Sequence, residues 1–470
     1  MQLIGKVLEK GKSAIVLVPE ISLTPQMVDR FIARFGEEKI ALLHSKLSVG
    51  ERYDEWKRIE KGEAKIIIGA RSAIFAPVKD LGIVIIDEEH DTSYKSDMTP
   101  RYNAKEIALY LAKQNSIPLV LGSATPNVDT YYKLDKEDSV ITLKNRATGS
   151  KLPKVEVIDM KKELAIGNKS MLSVKLHEMI EQNLKKKKQT ILFLNRRGYS
   201  TFVMCRDCGY TATCNKCNIT LTYHIRQDRL KCHYCGYERQ NFTECPECHG
   251  HNIRYFGTGT EKLEAQINKM FPQAKTIRMD IDTVSKKNSY EDILNKFRDE
   301  NIDILIGTQM VVKGHHFPNV TLVGVIAADS SMYMSDYRSN ERTFQLLTQV
   351  AGRAGREKDE GNVIIQTYNP ESFPIECAKE QDYMKFYNQE IKLRQVLKYP
   401  PFCDIIKLEI SDLNEKNVSK IITEVYEKLL KLSENKMSIY APMPCPISKI
   451  KNRYRWRIII KCKLRKQHYK

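Results

Sequence analysis

The chain has 470 residues, with 76 Lys and Arg against 58 Asp and Glu, a formal net charge of +18 at pH 7. One hydrophobic core cannot serve that length, and about three domains of ~100 to 200 residues are expected. No apolar run approaches the ~18 residues needed to span a bilayer, and the N-terminus lacks the basic-then-apolar order of a secretion signal; a membrane protein is excluded and a soluble, cytoplasmic one expected.

The basic residues are scattered along the chain. Distributed basicity suits a polyanion such as nucleic acid, although a Lys-rich proteome would account for part of it. Lys185 to Lys188 reads as a solvated helix end.

From the front, residues 1–145 alternate short β-branched runs with helical stretches. The strand-like runs are Ser13 to Val18, Lys65 to Ile68, Ile83 to Ile86 and Leu119 to Leu121. Continuous apolar runs of this kind predict parallel strands buried on both faces, with ligands at their carboxyl ends. Thr24-Pro25 opens a helix, Thr24 as N-cap and Pro25 at its first position, and free N–H groups there suit a phosphate. Gly69-Ala-Arg-Ser72, containing Arg71, sits at another strand end. Asp87-Glu-Glu-His90 follows the run ending at Ile86, and Gly122-Ser-Ala-Thr-Pro126 follows the next. At such a strand end one carboxylate can hold Mg²⁺ through water and the next can orient a water toward a γ-phosphate; the bland alternative is an acidic surface turn.

A second series comprises Thr190 to Leu194, Asp303 to Ile306, Thr321 to Ala327 and Asn362 to Gln366. It forms a weak internal repeat with the first: Gly307-Thr-Gln309 matches Gly69-Ala-Arg71, and Val323 to Asp329 matches Gly82 to Asp87 with the following carboxylates lost. Thr308 thus joins Thr24 and Arg71 as a candidate strand-end contact for a single nucleic-acid strand. Two similar lobes with a cleft between them are expected.

Eight of the twelve cysteines interrupt this second series, as Cys205-x2-Cys208, Cys214-x2-Cys217, Cys232-x2-Cys235 and Cys245-x2-Cys248. Eight thiolates make two closed tetrahedral sites for two structural Zn²⁺, though the spacing does not say which pairs share an ion. Cys377, Cys403, Cys445 and Cys462 read as buried thiols. Gln349-Val-Ala-Gly-Arg-Ala-Gly-Arg356 is expected to carry Arg353 and Arg356 on one helical face, where two guanidinium groups can neutralise a transferring phosphoryl group. A solvated helix face is the alternative. Beyond Tyr399-Pro-Pro401 come a strand (Ile405 to Ile410), a helix (Val418 to Leu432) and a basic strand (Tyr454 to Lys461), a small α+β appendage.

Expected boundaries are 1–145 for the first lobe, 146–202 for a linker and the start of the second, 203–252 for the double zinc insertion, 253–390 for the rest of the second lobe and 391–470 for the appendage. The expected fold class is α/β, with two similar parallel-sheet lobes.

Asp87-Glu-Glu-His90 and Gly122 to Pro126 match the second and third signatures of superfamily-two helicases. Together with the four-pair cysteine block inside a lobe and Gln349 to Arg356, they resemble the PriA family of replication-restart helicases, over essentially the whole chain. The resemblance implies that the two parallel-sheet lobes are RecA-like, and it implies an ATP-driven 3′ to 5′ DNA helicase that recognises abandoned forks. Its implied partners are single-stranded and forked DNA, primosome proteins, single-strand binding protein and the replicative helicase. It assigns Asp87 and Glu88 to Mg²⁺ and water activation and Arg353 and Arg356 to the γ-phosphate of ATP, with His90 and Gln349 near the nucleotide. Tyr94 to Tyr102 matches the family's aromatic-rich loop, making Tyr94, Arg101 and Tyr102 DNA contacts. The outer cysteines (Cys205, Cys208, Cys245, Cys248) would share one zinc and the inner four the other.

The departure is at the front: no Gly-x4-Gly-Lys-Ser/Thr phosphate loop occurs. Gly5-x5-Gly11-Lys12-Ser13 is one residue too long and precedes a strand where such a loop should follow one. The family's N-terminal DNA-binding domains are expected to be missing and the C-terminal domain to be incomplete. Accordingly these 470 residues alone are expected not to hydrolyse ATP, and the rival reading is an ATPase-deficient zinc- and DNA-binding scaffold. An RNA helicase is disfavoured by the cysteine block.

Overall fold

A computed structural model describes the chain apart from residues 20–24, 46, 97, 144–151, 195–201, 216–218, 225–227, 233–234, 256–259, 281–282, 284–288, 313–316, 334–335, 356–359, 434–436 and 464–470. Residues 1–134 form one compact unit and residues 135–312 with 316–470 a second.

The first unit runs α1 (Gln2–Glu9), β1 (Ser13–Leu17), α2 (Pro25–Phe35), β2 (Ile40–Leu43), α3 (Val49–Lys61), β3 (Ile66–Gly69), β4 (Leu81–Ile86), α4 (Ala104–Gln114), β5 (Leu119–Leu121) and α5 (Val128–Asp135). Its strands pair in parallel in the order β2-β3-β1-β4-β5. Side chains alternate across a strand, so β1 feeds both faces. Ile15 and Leu17 join a core with Ile67, Val84, Tyr94 and Ala108, while Ala14 and Val16 join one with Ile4, Phe31 and Ile83. α3 is bounded by a capping box between Ser48 and Glu51 and by a left-handed Gly62.

In the second unit β6 (Lys154–Asp159), α6 (Met160–Ala165) and α7 (Val174–Lys185) lead to β7 (Gln189–Leu194). The cysteine module follows, with β8 (Val203–Cys205), β9 (Thr222–His224), β10 (Arg229–Lys231), β11 (Glu238–Gln240) and β12 (Ile253–Tyr255). The lobe resumes with α8 (Thr260–Met270), β13 (Thr276–Met279), α9 (Ser289–Asp299), β14 (Ile304–Gly307), α10 (Gln309–Val312), β15 (Val320–Ile326), α11 (Asp329–Met332), α12 (Ser339–Ala351) and β16 (Asn362–Thr367). Its parallel sheet has the order β13-β14-β7-β15-β16-β6. This is the order of the first unit with one added edge strand, β6.

The correspondence extends to single residues. Leu17 pairs with Gly69 and Ile86, and Phe193 pairs with Gly307 and Val325. Both sheets slip by one residue at the start of the same strand pair, β1 with β4 and β7 with β15. This register corrects the expected repeat. Ile86 corresponds to Val325, so Asp87 corresponds to Ile326, and Asp329 lies three residues further on. The two glycines that suggested the other alignment answer separate packing needs: a Cβ at Gly82 would strike Lys12 and Val7, and one at Gly324 would strike Leu176 and Leu192.

After β16 come α13 (Phe373–Glu380) and α14 (Tyr383–Val396), then β17 (Asp404–Asp412), α15 (Glu415–Leu432), β18 (Ser438–Ile439), β19 (Met443–Ile450) and β20 (Arg453–Cys462). β20 pairs antiparallel with β17, β18 and β19, and α15 covers the sheet through Ile422, Ile458 and Ile460. The expected boundary between residues 390 and 391 falls inside α14, and β12, expected in the lobe, pairs with β8 of the cysteine module.

Candidate functional site: a carboxylate turn and a double cysteine module

The turn after β4 is built by backbone pairing from both sides. Asp87 N–H donates to Leu17 O (2.9 Å), and Glu89 N–H donates to Gly122 O (3.0 Å). Glu88 lies between them in the left-handed region (φ 45°), a conformation that non-glycine residues adopt at some cost and that clusters at functional sites. Consecutive carboxylates thereby diverge. Glu88 remains part-exposed, with Oε2 3.6 Å from His90 Nδ1, whereas Glu89 is 1% exposed. Its carboxylate accepts from Lys105 Nζ (2.7 Å), Asn127 N–H (2.6 Å) and Asn127 Nδ2 (3.2 Å). His90 Nδ1 meets Ser123 Oγ at 2.7 Å. The acidic run is therefore tied to Gly122 to Asn127 at three points. Burial pushes the Asp87 carboxyl above the ordinary range, while the Glu88 N–H, donating to Oδ1 at 3.0 Å, pulls it back. The Asp87 side chain is nonetheless exposed, and an accessible carboxylate at a strand end is suited to a cation.

Sequence reasoning gave Glu89 no role, and its only signal was the apolar setting of the turn. Tyr94 needs the opposite correction. It was expected to contact DNA, yet it is 1% exposed, and its hydroxyl donates to Asp87 O (2.6 Å) and lies 3.1 Å from Leu17 O. It bolts the loop to the carboxylate turn and offers no face for a base. Arg71 is likewise engaged, donating from Nη1 to Lys95 O (3.0 Å) and Ser93 O (3.3 Å). Arg101 is exposed; Tyr102 is half-buried, edge-on to Phe75 at 5.0 Å. Phe75, 49% exposed, is the aromatic that the sequence reading overlooked. Thr24 lies outside the described residues.

In the second unit, Thr308 is 7% exposed and its N–H donates to Met279 O (3.3 Å). Ala70 donates to Leu43 O (3.1 Å) in the first unit in the same way. The helix carrying Gln349 ends at Ala351, so Arg353 lies in the turn beyond it, its N–H donating to Val350 O (3.1 Å). The expected shared helical face does not exist at Arg353, because the chain leaves the helix at Gly352. Arg356 lies outside the described residues.

The cysteines are placed by repeated knuckles. Cys205 N–H donates to Tyr210 O and Gly209 N–H back to Cys205 O; Cys232 with Tyr237 and Gly236, and Cys245 with Gly250 and His249, repeat the pattern. The residue directly after each pair's second cysteine, Gly209 (φ 80°), Gly236 (φ 77°) or His249 (φ 58°), is left-handed and closes the turn that carries the two thiols. Cys205, Cys208, Cys245 and Cys248 have sulfurs within 4.8 Å of one another, with Cys205 to Cys248 at 3.7 Å and Cys208 to Cys245 at 3.5 Å. Sulfurs ~2.3 Å from a tetrahedral ion stand about 3.8 Å apart, so the four fit Zn²⁺. Cys214, Cys232 and Cys235 form a second cluster, with Cys214 to Cys235 at 3.5 Å; Cys217 lies outside the described residues. The outer-with-outer pairing holds for the first cluster.

The module is docked on its host. Arg206 Nε donates to Tyr368 Oη (2.8 Å), and Asn369 Nδ2 donates to Gly209 O (3.3 Å). Asp329, fully buried and pushed up by that burial, accepts from Thr367 Oγ1 (2.7 Å) and Tyr368 N–H (2.9 Å) and so fixes the same loop.

Family models match along the chain: DEAD/DEAH box helicase at residues 1–134, the PriA DNA helicase Cys-rich region at 214–240, the helicase conserved C-terminal domain at 241–358 and the primosomal protein N C-terminal domain at 395–469. Replication restart protein PriA of Bacillus subtilis is 50% identical over 465 residues, 98% of this chain and 58% of that protein. The Synechocystis protein of the same name is 43% identical over 98% of this chain and 57% of that protein, so the chain spans less than two thirds of either relative. For the Rickettsia felis protein of that name the identity is 39%, over 97% of this chain and 70% of the relative. With helicase-lobe and cysteine-rich matches in one chain and this identity across two thirds of a relative, the chain belongs to the PriA family of replication restart proteins.

Proposed function

We propose that the protein is an ATP-dependent 3′ to 5′ DNA helicase of replication restart, which binds abandoned forks and promotes primosome assembly and loading of the replicative helicase. The observation that carries this reading is the divergence of carboxylates at the end of β4: Asp87 exposed at the strand end, Glu88 part-exposed toward His90, and Glu89 buried and locked to Lys105 and Asn127. In such a turn Asp87 holds Mg²⁺ of Mg-ATP and Glu88 orients the attacking water, while His90 joins them to Ser123. Gln349, Arg353 and Arg356 serve the phosphates, with the arginines neutralising developing charge. Arg101, Tyr102 and Phe75 contact DNA, with Thr24 and Thr308 near its backbone and Arg71 holding the loop. Zinc at the two cysteine clusters has a structural part.

Because these 470 residues carry no phosphate loop, ATPase and strand-displacement assays with forked DNA test this on the chain given an N-terminal extension that supplies the loop, with the bare chain expected not to turn over. Unwinding should require a 3′ arm, and Glu88→Gln should lower kcat about a hundredfold or more while leaving DNA affinity unchanged. Turnover surviving Glu88→Gln would refute the assignment. Affinity for single-stranded DNA should fall steeply with salt, as charge-driven binding does. A strong base preference would count against it.

A further inference from the structure

Arg394 is the largest fully buried side chain among the described residues, and no step above uses it. It lies on α14 at 1% exposure, between two equally buried carboxylates. Its Nη2 donates to Glu341 Oε2 (2.8 Å) and its Nε to Glu390 Oε1 (2.8 Å), while Nη1 lies 3.4 Å from Pro400 O. Burying three ionised groups is expensive and seldom the stabilising choice against apolar residues of the same volume. Such a network fixes a geometry instead, since the planar guanidinium dictates the angle between the groups it joins.

What it joins is specific. Glu341 stands in the first turn of α12, the helix whose other end carries Gln349 and leads into Arg353. Glu341 and Gln349 are about 12 Å apart along it at 1.5 Å per residue. Phe344 of α12 also stacks on Phe386 of α14 at 4.4 Å. On its other side the Arg394 guanidinium lies over the Tyr337 ring (5.3 Å), which stacks on Tyr399 (4.9 Å, 14°). Lys461 of β20 sits over Tyr399 (3.8 Å) and donates to Leu397 O (3.1 Å). Tyr399 and Tyr337 belong to the hydrophobic core that holds Cys214, Cys232 and Ile459, so the inner cysteine cluster and the C-terminal sheet share it.

We infer that Arg394 is a positioning residue, through which the C-terminal sheet and inner cysteine cluster set the placement of α12 and hence of Gln349 and Arg353. The inference rests on the phosphate role proposed for those two residues. Held at its start by a fork and along its length by aromatic stacking, α12 moves as a unit, and a change at Lys461 or Tyr399 is transmitted to its far end.

The test uses the chain with the N-terminal extension that supplies the phosphate loop, forked DNA, and two variants at opposite ends of the strut. Arg394→Lys keeps the charge but loses the fork; Lys461→Met removes the cation over Tyr399. Zinc content and melting temperature report folding, and DNA-stimulated ATPase gives kcat and KM. Arg394→Lys should lower kcat about tenfold and Lys461→Met several-fold, with KM for ATP within about twofold of wild type. The double variant should be no worse than the worse single, because both cut one path. Unchanged kcat in folded variants, or losses that multiply, would overturn the inference. Should Arg394→Lys lose zinc, Lys461→Met decides alone, and unchanged kcat in it sinks the idea. A loop-bearing wild type without turnover refutes the proposed function, and this inference falls with it; a loop-bearing wild type that turns over with unaffected variants refutes the strut alone.

Discussion

The first and second lobes share strand order, strand-pair registers and a one-residue slip at the same place, yet they spend the equivalent strand end differently. After β4 the chain presents Asp87, Glu88 and Glu89; after Val325 the matching position is Ile326, buried at 3%. Three residues later Asp329 does appear, but Thr367 and Tyr368 occupy it, and it braces the loop on which the cysteine module sits. One frame thus carries a run of carboxylates in one copy and a docking brace in the other. The difference lies in which register position carries a carboxylate, not in the path of the backbone.

The largest expected effect concerns the docked module. Purified protein should contain about two Zn per chain, and chelation should unfold the cysteine module, since structural zinc contributes on the order of 10 kcal/mol to folding. Hydrogen exchange should then rise in β8 to β12 and in the core shared with Tyr399 and Ile459, but not in β1, β3 and β4. Equal exposure of both lobes, or one zinc or none, would break the comparison. Next in size is Glu89→Ala, which strands Lys105 and the Asn127 N–H in a buried site; denaturant titration should show a loss of about 3 kcal/mol confined to the first unit. A change below about 1 kcal/mol would mean that Glu89 is not the anchor described.

A pair of effects no larger than that of Glu89→Ala sharpens the repeat itself. A Cβ at Gly69 would come within 2.2 Å of Leu43 O and 2.7 Å of Ala73 Cβ; at Gly307 it would meet Val311 Cγ2 at 2.1 Å and Met279 O at 2.8 Å. Both glycines let the next turn close on the last carbonyl of a neighbouring strand. The hard contact is with backbone in the first lobe and mainly with a movable side chain in the second. Gly69→Ala should therefore cost about 3 kcal/mol and Gly307→Ala about 1 kcal/mol, by denaturant midpoint. The reverse order would contradict the packing described.

Strand positions were legible because continuous β-branched runs have few other uses, and Ser13 to Val18 and Leu119 to Leu121 emerged within a residue of their observed ends; β1 is buried on both faces as expected, whereas β5, at the sheet edge, is only part-buried at all three residues. β2 and β13 were missed: Ile40-Ala-Leu-Leu43 and Thr276-Ile-Arg-Met279 are too short and mixed to stand out. Thiolate spacing foretold the clusters, since four sulfurs around one ion constrain sequence directly. Tyr94 was misplaced because an aromatic in a polar loop looks the same whether it faces solvent or reaches inward to a carbonyl. Arg394 gave no sign at all, for its partners Glu341 and Glu390 become neighbours only when two helices pack.

β8 and β12 pair where the cysteine module leaves and rejoins its lobe. About 65 residues separate Leu194 from Thr260, and closing so long a loop costs entropy that grows with its logarithm. Once the module has formed, its two ends stand side by side and the effective connection shrinks to about a dozen residues, easing closure by roughly 1.4 kcal/mol. Zinc supplied during refolding should therefore favour closure of β7 with α8 by up to about tenfold and leave the first lobe unaffected.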